Sequence, residues 1–183
     1  MGSEFGQWSE WSAERGLDWW LADWEDHKGI ARCVRDMNAL YRATPALWDL
    51  DFSPEGFEWI VSDAAEDNTI AWLRKDSSGQ TLAAVSNFSP VVREGYRIGL
   101  PFAGQWREVL NTDSSVYGGG TNVGNYGGVH AEQVGHHGRP AADAGTSFTS
   151  TVPNDAPTSA TTRFMTTRSR ATTESSAPRV ERR

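Results

Sequence analysis

The chain has 183 residues with 17 Lys and Arg against 24 Asp and Glu, a net charge of −7, and a single cysteine. An acidic chain with scattered basic residues excludes the clustered Lys and Arg surface that neutralises nucleic-acid phosphates, and Cys33 alone excludes an internal disulfide or a cysteine metal knuckle. No apolar run approaches the roughly 20 residues of a membrane helix, and the N-terminus lacks the basic-then-apolar order of a signal peptide; the expectation is a soluble, cytoplasmic chain without nucleic acid, membrane or cofactor.

The composition shifts along the chain. All nine Trp and all four Tyr fall in the first 140 residues. Residues 1–26 place Trp8, Trp11, Trp19, Trp20 and Trp24 among Ser, Gly and Asp without a single period, which predicts a long structured loop with at most a short helical turn. Loops this aromatic line something.

HKGIARCVRDMNALYR (27–42) is the clearest element. Ile30, Val34, Met37 and Tyr41 fall on one face with Cys33 and Leu40, which predicts an amphipathic helix. That stripe reads as core packing, with Cys33 a small buried apolar group. Pro45 disfavours a helical Thr44 and sets the end.

From Ala46 the period changes. FEWIVSD (57–63), NTIAWLRK (68–75), QTLAAVSNFS (80–89), YRIGLP (96–101) and QWREVLNTD (105–113) are short β-branched and aromatic runs. Turn chemistry at Ser77-Ser78-Gly79, Ser89-Pro90 and Ala103-Gly104 separates them, which predicts a small antiparallel sandwich. Trp59, Trp72 and Trp106 alternate within the runs and are expected in its core. The glycine clusters at 118–120 and 127–128 read as a surface loop before one more strand at 129–133. After about Gly135 the chain is rich in Thr and Ser with almost no large apolar side chains, so disorder is expected there.

These stretches have a collinear likeness. MGSEFGQWSEW, GLDWWL, HKGIARCVRDMNALYR, PALWDLDFSPEGFEWI, NFSPVVREGYRIGLP and WREVLNTDSSVYGG together resemble the C-terminal part of a glycogen branching enzyme, a 1,4-α-glucan branching enzyme of the α-amylase superfamily (glycoside hydrolase family 13). Gly-Ser-Glu-Phe after a methionine is also what cloning sites leave behind. Its continuation through Gly6, Gln7, Trp8 and Trp11 matches the family, so Met1 reads as an internal methionine of a larger chain.

The resemblance implies an α+β fragment. Residues 1–48 would be the last strand, loop and helix of the catalytic (β/α)8 barrel, 49–134 an incomplete all-β C-terminal domain, and 135–183 a disordered, low-complexity tail. The loss of strand pattern near Val134 suggests an out-of-frame translation. The family's activity is transfer of an α-1,4-glucan segment to a 6-hydroxyl, forming an α-1,6 branch. Such retaining chemistry needs two carboxyl groups roughly 5 Å apart, and the motifs that carry them in the family are not found in this sequence.

Glu4, Glu10, Glu14 and Asp18 lie close in sequence but read as a solvated charge cluster, so no catalytic residue is assigned. The resemblance makes α-glucan the partner, with Glu4, Trp8, Trp11 and Trp19 as candidate contacts, since exposed indole rings suit sugar faces. Packing of the barrel-end loop is the other role those residues could have, and a glucan-binding module without catalysis is the alternative function. His130, His136 and His137 are spaced like metal ligands but sit in a glycine-rich stretch, so no metal site is assigned. Without a barrel beside it, the stripe Ile30, Val34, Met37 and Leu40 is expected to expose an apolar patch and lower solubility. No oligomeric state is assigned.

Overall fold

The computed structural model describes residues 1–93, 95–120, 124–125, 128–136, 139–143 and 161–166. A loop-and-helix segment comes first, and strands begin at Phe57.

The helix, α1, runs Glu25–Ala43, two residues earlier and one later than its apolar pattern predicts. Glu25 and Asp26 occupy its first turn and Arg42 its last, which complements the helix dipole. Lys28 pairs with Glu25 at 2.9 Å, one turn back. Thr44 turns extended ahead of Pro45, as the restriction before proline requires.

The expected core burial of its stripe is corrected. Only His27 and Gly29 are buried on α1; Ile30 and Tyr41 are exposed, and Cys33, Val34, Met37 and Leu40 are half-buried. The reason is that α1 meets the strand region through a different face. Gly29, Arg32 and Asp36 lie one turn apart and pack on the short turn Ser115–Tyr117. There the Tyr117 hydroxyl donates to Asp36 Oδ2 at 2.9 Å, and the Arg32 guanidinium donates to the Val116 carbonyl.

Eight strands follow among the described residues: β1 Phe57–Val61, β2 Thr69–Lys75, β3 Thr81–Asn87, β4 Arg97–Gly99, β5 Gly104–Asn111, β6 Val129–His136, β7 Arg139–Asp143 and β8 Thr161–Thr166. All pairs are antiparallel and the order is β1-β2-β3-β8-β5-β6-β7-β4. β5 is the joint. Its first residues pair with β6 and its later ones with β8. The two end strands, β1 and β4, approach each other, and side chains from both halves share one core: Ile60, Leu73 and Val85 with Ile98, Leu100, Trp106 and Val129. A second small core sets Ala46 against Leu82 and Ala84, with Leu47, Trp72 and Val109 beside it.

Sharp turns carry specific chemistry. Asp76 Oδ1 accepts from the backbone of Ser78 at 3.0 Å and of Gln80 at 2.8 Å, closing the β2–β3 hairpin over a left-handed Gly79.

In the segment after residue 135 the described residues include β7 and β8, and β8 lies between β3 and β5. Its Thr-rich sequence suits extended backbone, and pairing on both sides satisfies amide and carbonyl groups that β3 and β5 would otherwise leave orphaned. The rest of that tail, and most of the glycine-rich stretch 121–127, lie outside the described residues.

A further expectation, on the strand tryptophans, is corrected. Trp106 is fully buried, Trp72 half-buried and Trp59 49% exposed. The register shifts between Trp59 and Val61. This bulge lets Ile60 and Val61 both enter the core and leaves Trp59 outside with Phe57, opposite Trp72. The Phe57 and Trp59 rings meet edge-on at 5.0 Å, and Trp59 and Trp72 at 6.4 Å.

Candidate functional site

The tryptophan loop is built from its two ends. Gly2 and Gly6 both take left-handed backbone, φ 85° and 69°, around the turn Ser3–Phe5. Neither tolerates a side chain. A Cβ on Gly2 would stand 2.7 Å from Gln7 Cβ, and one on Gly6 2.7 Å from Ile30 Cδ1. That leaves Phe5 buried, stacked on Trp19 at 5.4 Å.

Gln7 and His27 tie the loop down. Gln7 Oε1 accepts from the Asp18 amide at 3.0 Å and its Nε2 donates to the Ser9 carbonyl at 3.0 Å. His27, in the first turn of α1, donates from Nδ1 to the Phe5 carbonyl at 2.7 Å. Leu21, fully buried, anchors the turn Trp19–Asp23.

An aromatic cluster forms on this frame. Trp8 meets Trp20 at 5.6 Å, Trp24 at 5.4 Å and His27 at 5.3 Å, each edge-on, and Trp20 meets Trp24 at 5.6 Å. Edge-to-face contact places a hydrogen-bearing rim against a π face and leaves other ring faces open.

The sequence-predicted residues divide among three places. Glu4 and Trp19 share one open groove of about 560 Å³ with Phe5, Val34 and Tyr41 along α1. Trp8 belongs to the ring cluster, and Trp11 lines a separate cavity of about 90 Å³ with Gln7, Glu10 and Asp18. All four are exposed, the three Trp at 63%, 62% and 65%. Trp20, Trp24 and His27 complete the cluster but were not among the expected contacts. Their spacing carries a signal: Trp20 and Trp24 are four apart, with His27 three further on.

Charge around α1 follows from its contacts. The Tyr117 hydroxyl bond holds the Asp36 carboxyl below its ordinary value, helped by Arg35 and Arg32. Burial first, then the Asp36 contact, pushes the Tyr117 hydroxyl up to about 12. Burial also raises the Cys33 thiol, with Asp36 adding to it, so the thiolate form is disfavoured. Among the described residues no three His, Cys, Asp or Glu side chains come together to hold a metal ion, and His137 lies outside them. No described helix is long and apolar enough to cross a membrane.

Comparison with known proteins then places this architecture. The family model of the alpha amylase C-terminal all-beta domain matches residues 59–156. The chain belongs to that family. It is similar to the C-terminal part of 1,4-alpha-glucan branching enzymes. The enzyme GlgB of Pseudomonas putida is 50% identical over 140 residues, covering 76% of this chain and 19% of the relative. That of Nocardia farcinica is 53% identical over 142 residues, 78% of this chain and 19% of the relative. GlgB 1 of Streptomyces coelicolor is 58% identical over 129 residues, 67% of this chain and 17% of the relative. The chain spans about a fifth of the length of these curated relatives.

Proposed function

We propose that the chain supplies the final strand, loop and helix of a (β/α)8 barrel, residues 1–48, and the β domain after it, to a glycogen branching enzyme. The observation that carries this reading is the 50% identity over 140 residues to a branching enzyme, a match longer than the 59–156 span of the β-domain family and so including residues beyond it. In this reading the substrate is an α-1,4-glucan. A segment of it is cleaved, held as a covalent glycosyl intermediate on a carboxylate, and passed to a 6-hydroxyl.

The residues here have supporting roles. The carboxylate pair of such a reaction belongs to the part of the enzyme outside the match, and the open groove along α1, with Phe5, Val34 and Tyr41, is the seat for the rest of the barrel. Covering those apolar side chains gives the half-buried stripe of α1 the burial its pattern calls for.

The test is an amylose–iodine assay. The isolated chain should leave the absorbance of the complex unchanged, and the same chain joined to the remaining four-fifths of a relative should lower it as branches form. Branching by the isolated chain would overturn the assignment of catalysis elsewhere.

The exposure of Trp8, Trp11 and Trp19 favours a second reading, in which the chain is a glucan-binding module. Mobility in an amylose-containing native gel measures it. Trp8→Ala and Trp11→Ala should each weaken retardation, and unchanged mobility in both would remove the loop as a sugar surface.

A further inference from the structure

His27 sits where the loop, the ring cluster and α1 meet. It is 4% exposed, and its Nδ1 lies 2.7 Å from the Phe5 carbonyl, 22 residues back. A carbonyl only accepts, so Nδ1 carries the proton and the ring orientation is set by that bond. The same ring stands edge-on to Trp8 at 5.3 Å and to Trp24 at 6.3 Å. Beside it, Gly6 leaves room for Ile30.

We infer that His27 is the positioning residue of the tryptophan loop, holding the Trp8 and Trp24 rings in place to meet an α-glucan chain. This rests on the glucan-contact reading of the loop given above. One imidazole fixes the backbone at Phe5 through a hydrogen bond and the ring at Trp8 through its edge, so two points three residues apart are set from the first turn of α1. Rings on an irregular loop must be ordered before they bind, and ordering them beforehand removes that cost from association. The two contacts can be separated by substitution: Asn retains a donor near the Nδ1 position without the ring, and Ala retains neither.

The experiment uses the full chain, with soluble amylose as the probe in affinity electrophoresis. Far-ultraviolet circular dichroism follows the exciton signal near 230 nm that close edge-on indoles produce. In His27→Ala the signal should collapse and affinity for amylose should fall about tenfold, the worth of one buried hydrogen bond. His27→Asn should restore affinity to within about threefold of the parent, since the bond to Phe5 is regained. His27→Asn as weak as His27→Ala would show that the bond to Phe5 contributes nothing, and would overturn the two-point positioning by His27. If Trp8→Ala loses amylose while His27→Ala keeps both amylose and the exciton signal, the role of His27 alone is overturned. If Trp8→Ala binds amylose like the parent, the glucan reading falls, and with it the ligand assigned here.

Discussion

Trp106 in β5 is fully buried, whereas Trp8, Trp11 and Trp19 in the N-terminal loop leave more than three-fifths of their surface to solvent. The sheet places its tryptophan by backbone register: Trp106 of β5 is paired with Val129 of β6, and alternation along the strand decides which face a ring takes. The loop has no ladder to set direction. Its rings are placed by single side chains, Gln7 and His27, and by one another. Order from a ladder is shared over many bonds, so breaking it costs most where the ring fills the core. Order from a few side chains is local, and damage to it stays local.

The strongest way to break this comparison is inside the sheet. Trp106→Ala removes a fully buried ring whose Nε1 donates to the Phe102 carbonyl at 3.0 Å. The expected loss is about 3–5 kcal/mol of unfolding free energy, combining the lost transfer term and the cavity. Urea titration followed by fluorescence measures it, and a loss under 1 kcal/mol would mean the strand region is not packed around this ring.

Next comes the joint between the two regions. Gly29 faces the Tyr117 carbonyl so closely that a Cβ would run into backbone. Gly29→Ala should raise intrinsic helix propensity by about 1 kcal/mol yet destabilise by about 1–3 kcal/mol overall through overpacking. Hydrogen exchange of the α1 amides should quicken while that of β2 and β3 holds. Slower exchange in α1 would show that the helix does not rest on the Ser115–Tyr117 turn.

A spectroscopic effect sharpens the same joint. The Tyr117 hydroxyl is raised from 10.0 to about 12, first by burial and then by Asp36. A folded value above the unfolded one contributes stability fully present below pH 10 and lost as pH rises through about 12. Asp36 is lowered from 3.8, first by the Tyr117 bond, so its contribution is present above pH 3.8 and lost below it. Absorbance at 295 nm should show one tyrosine titrating near 12. Asp36→Asn should bring that transition down while leaving it above 10, because burial remains. An unmoved transition would break the Asp36 assignment.

The regions also differed in how far their sequence announced them. α1 and β1–β6 were legible because the apolar period switches from helical to alternating and glycine, proline and serine turns punctuate the runs. The exposed side of Trp59 was not, because a one-residue bulge after it redirects the alternation and no residue type marks that bulge. β7 and β8 were hidden for another reason: Thr and Ala runs read as low complexity, and they also pair with strands distant in sequence, β7 with β4 and β8 with β3 and β5. In the loop, the exposure of Trp8, Trp11 and Trp19 followed from their irregular setting. The grouping of Trp8 with Trp20, Trp24 and His27 did not, since it depends on a turn made possible by Gly2 and Gly6.

The smallest effects fall within the loop. Trp8 has three ring partners, Trp20, Trp24 and His27, and Trp11 has none among the described residues. If rings hold one another, Trp8→Ala should cost about 1 kcal/mol, a fraction of what three edge contacts would be worth if fully buried. Trp11→Ala should fall within about 0.5 kcal/mol of the parent, as surface substitutions do. Proteolysis in the 8–20 segment is the sensitive readout, because local opening there need not involve the sheet. Trp8→Ala should quicken cleavage and Trp11→Ala should not. Equal cleavage in the two variants would mean that Gln7 and His27 hold the loop without help from its rings, and the contrast with the sheet would then rest on hydrogen bonds alone.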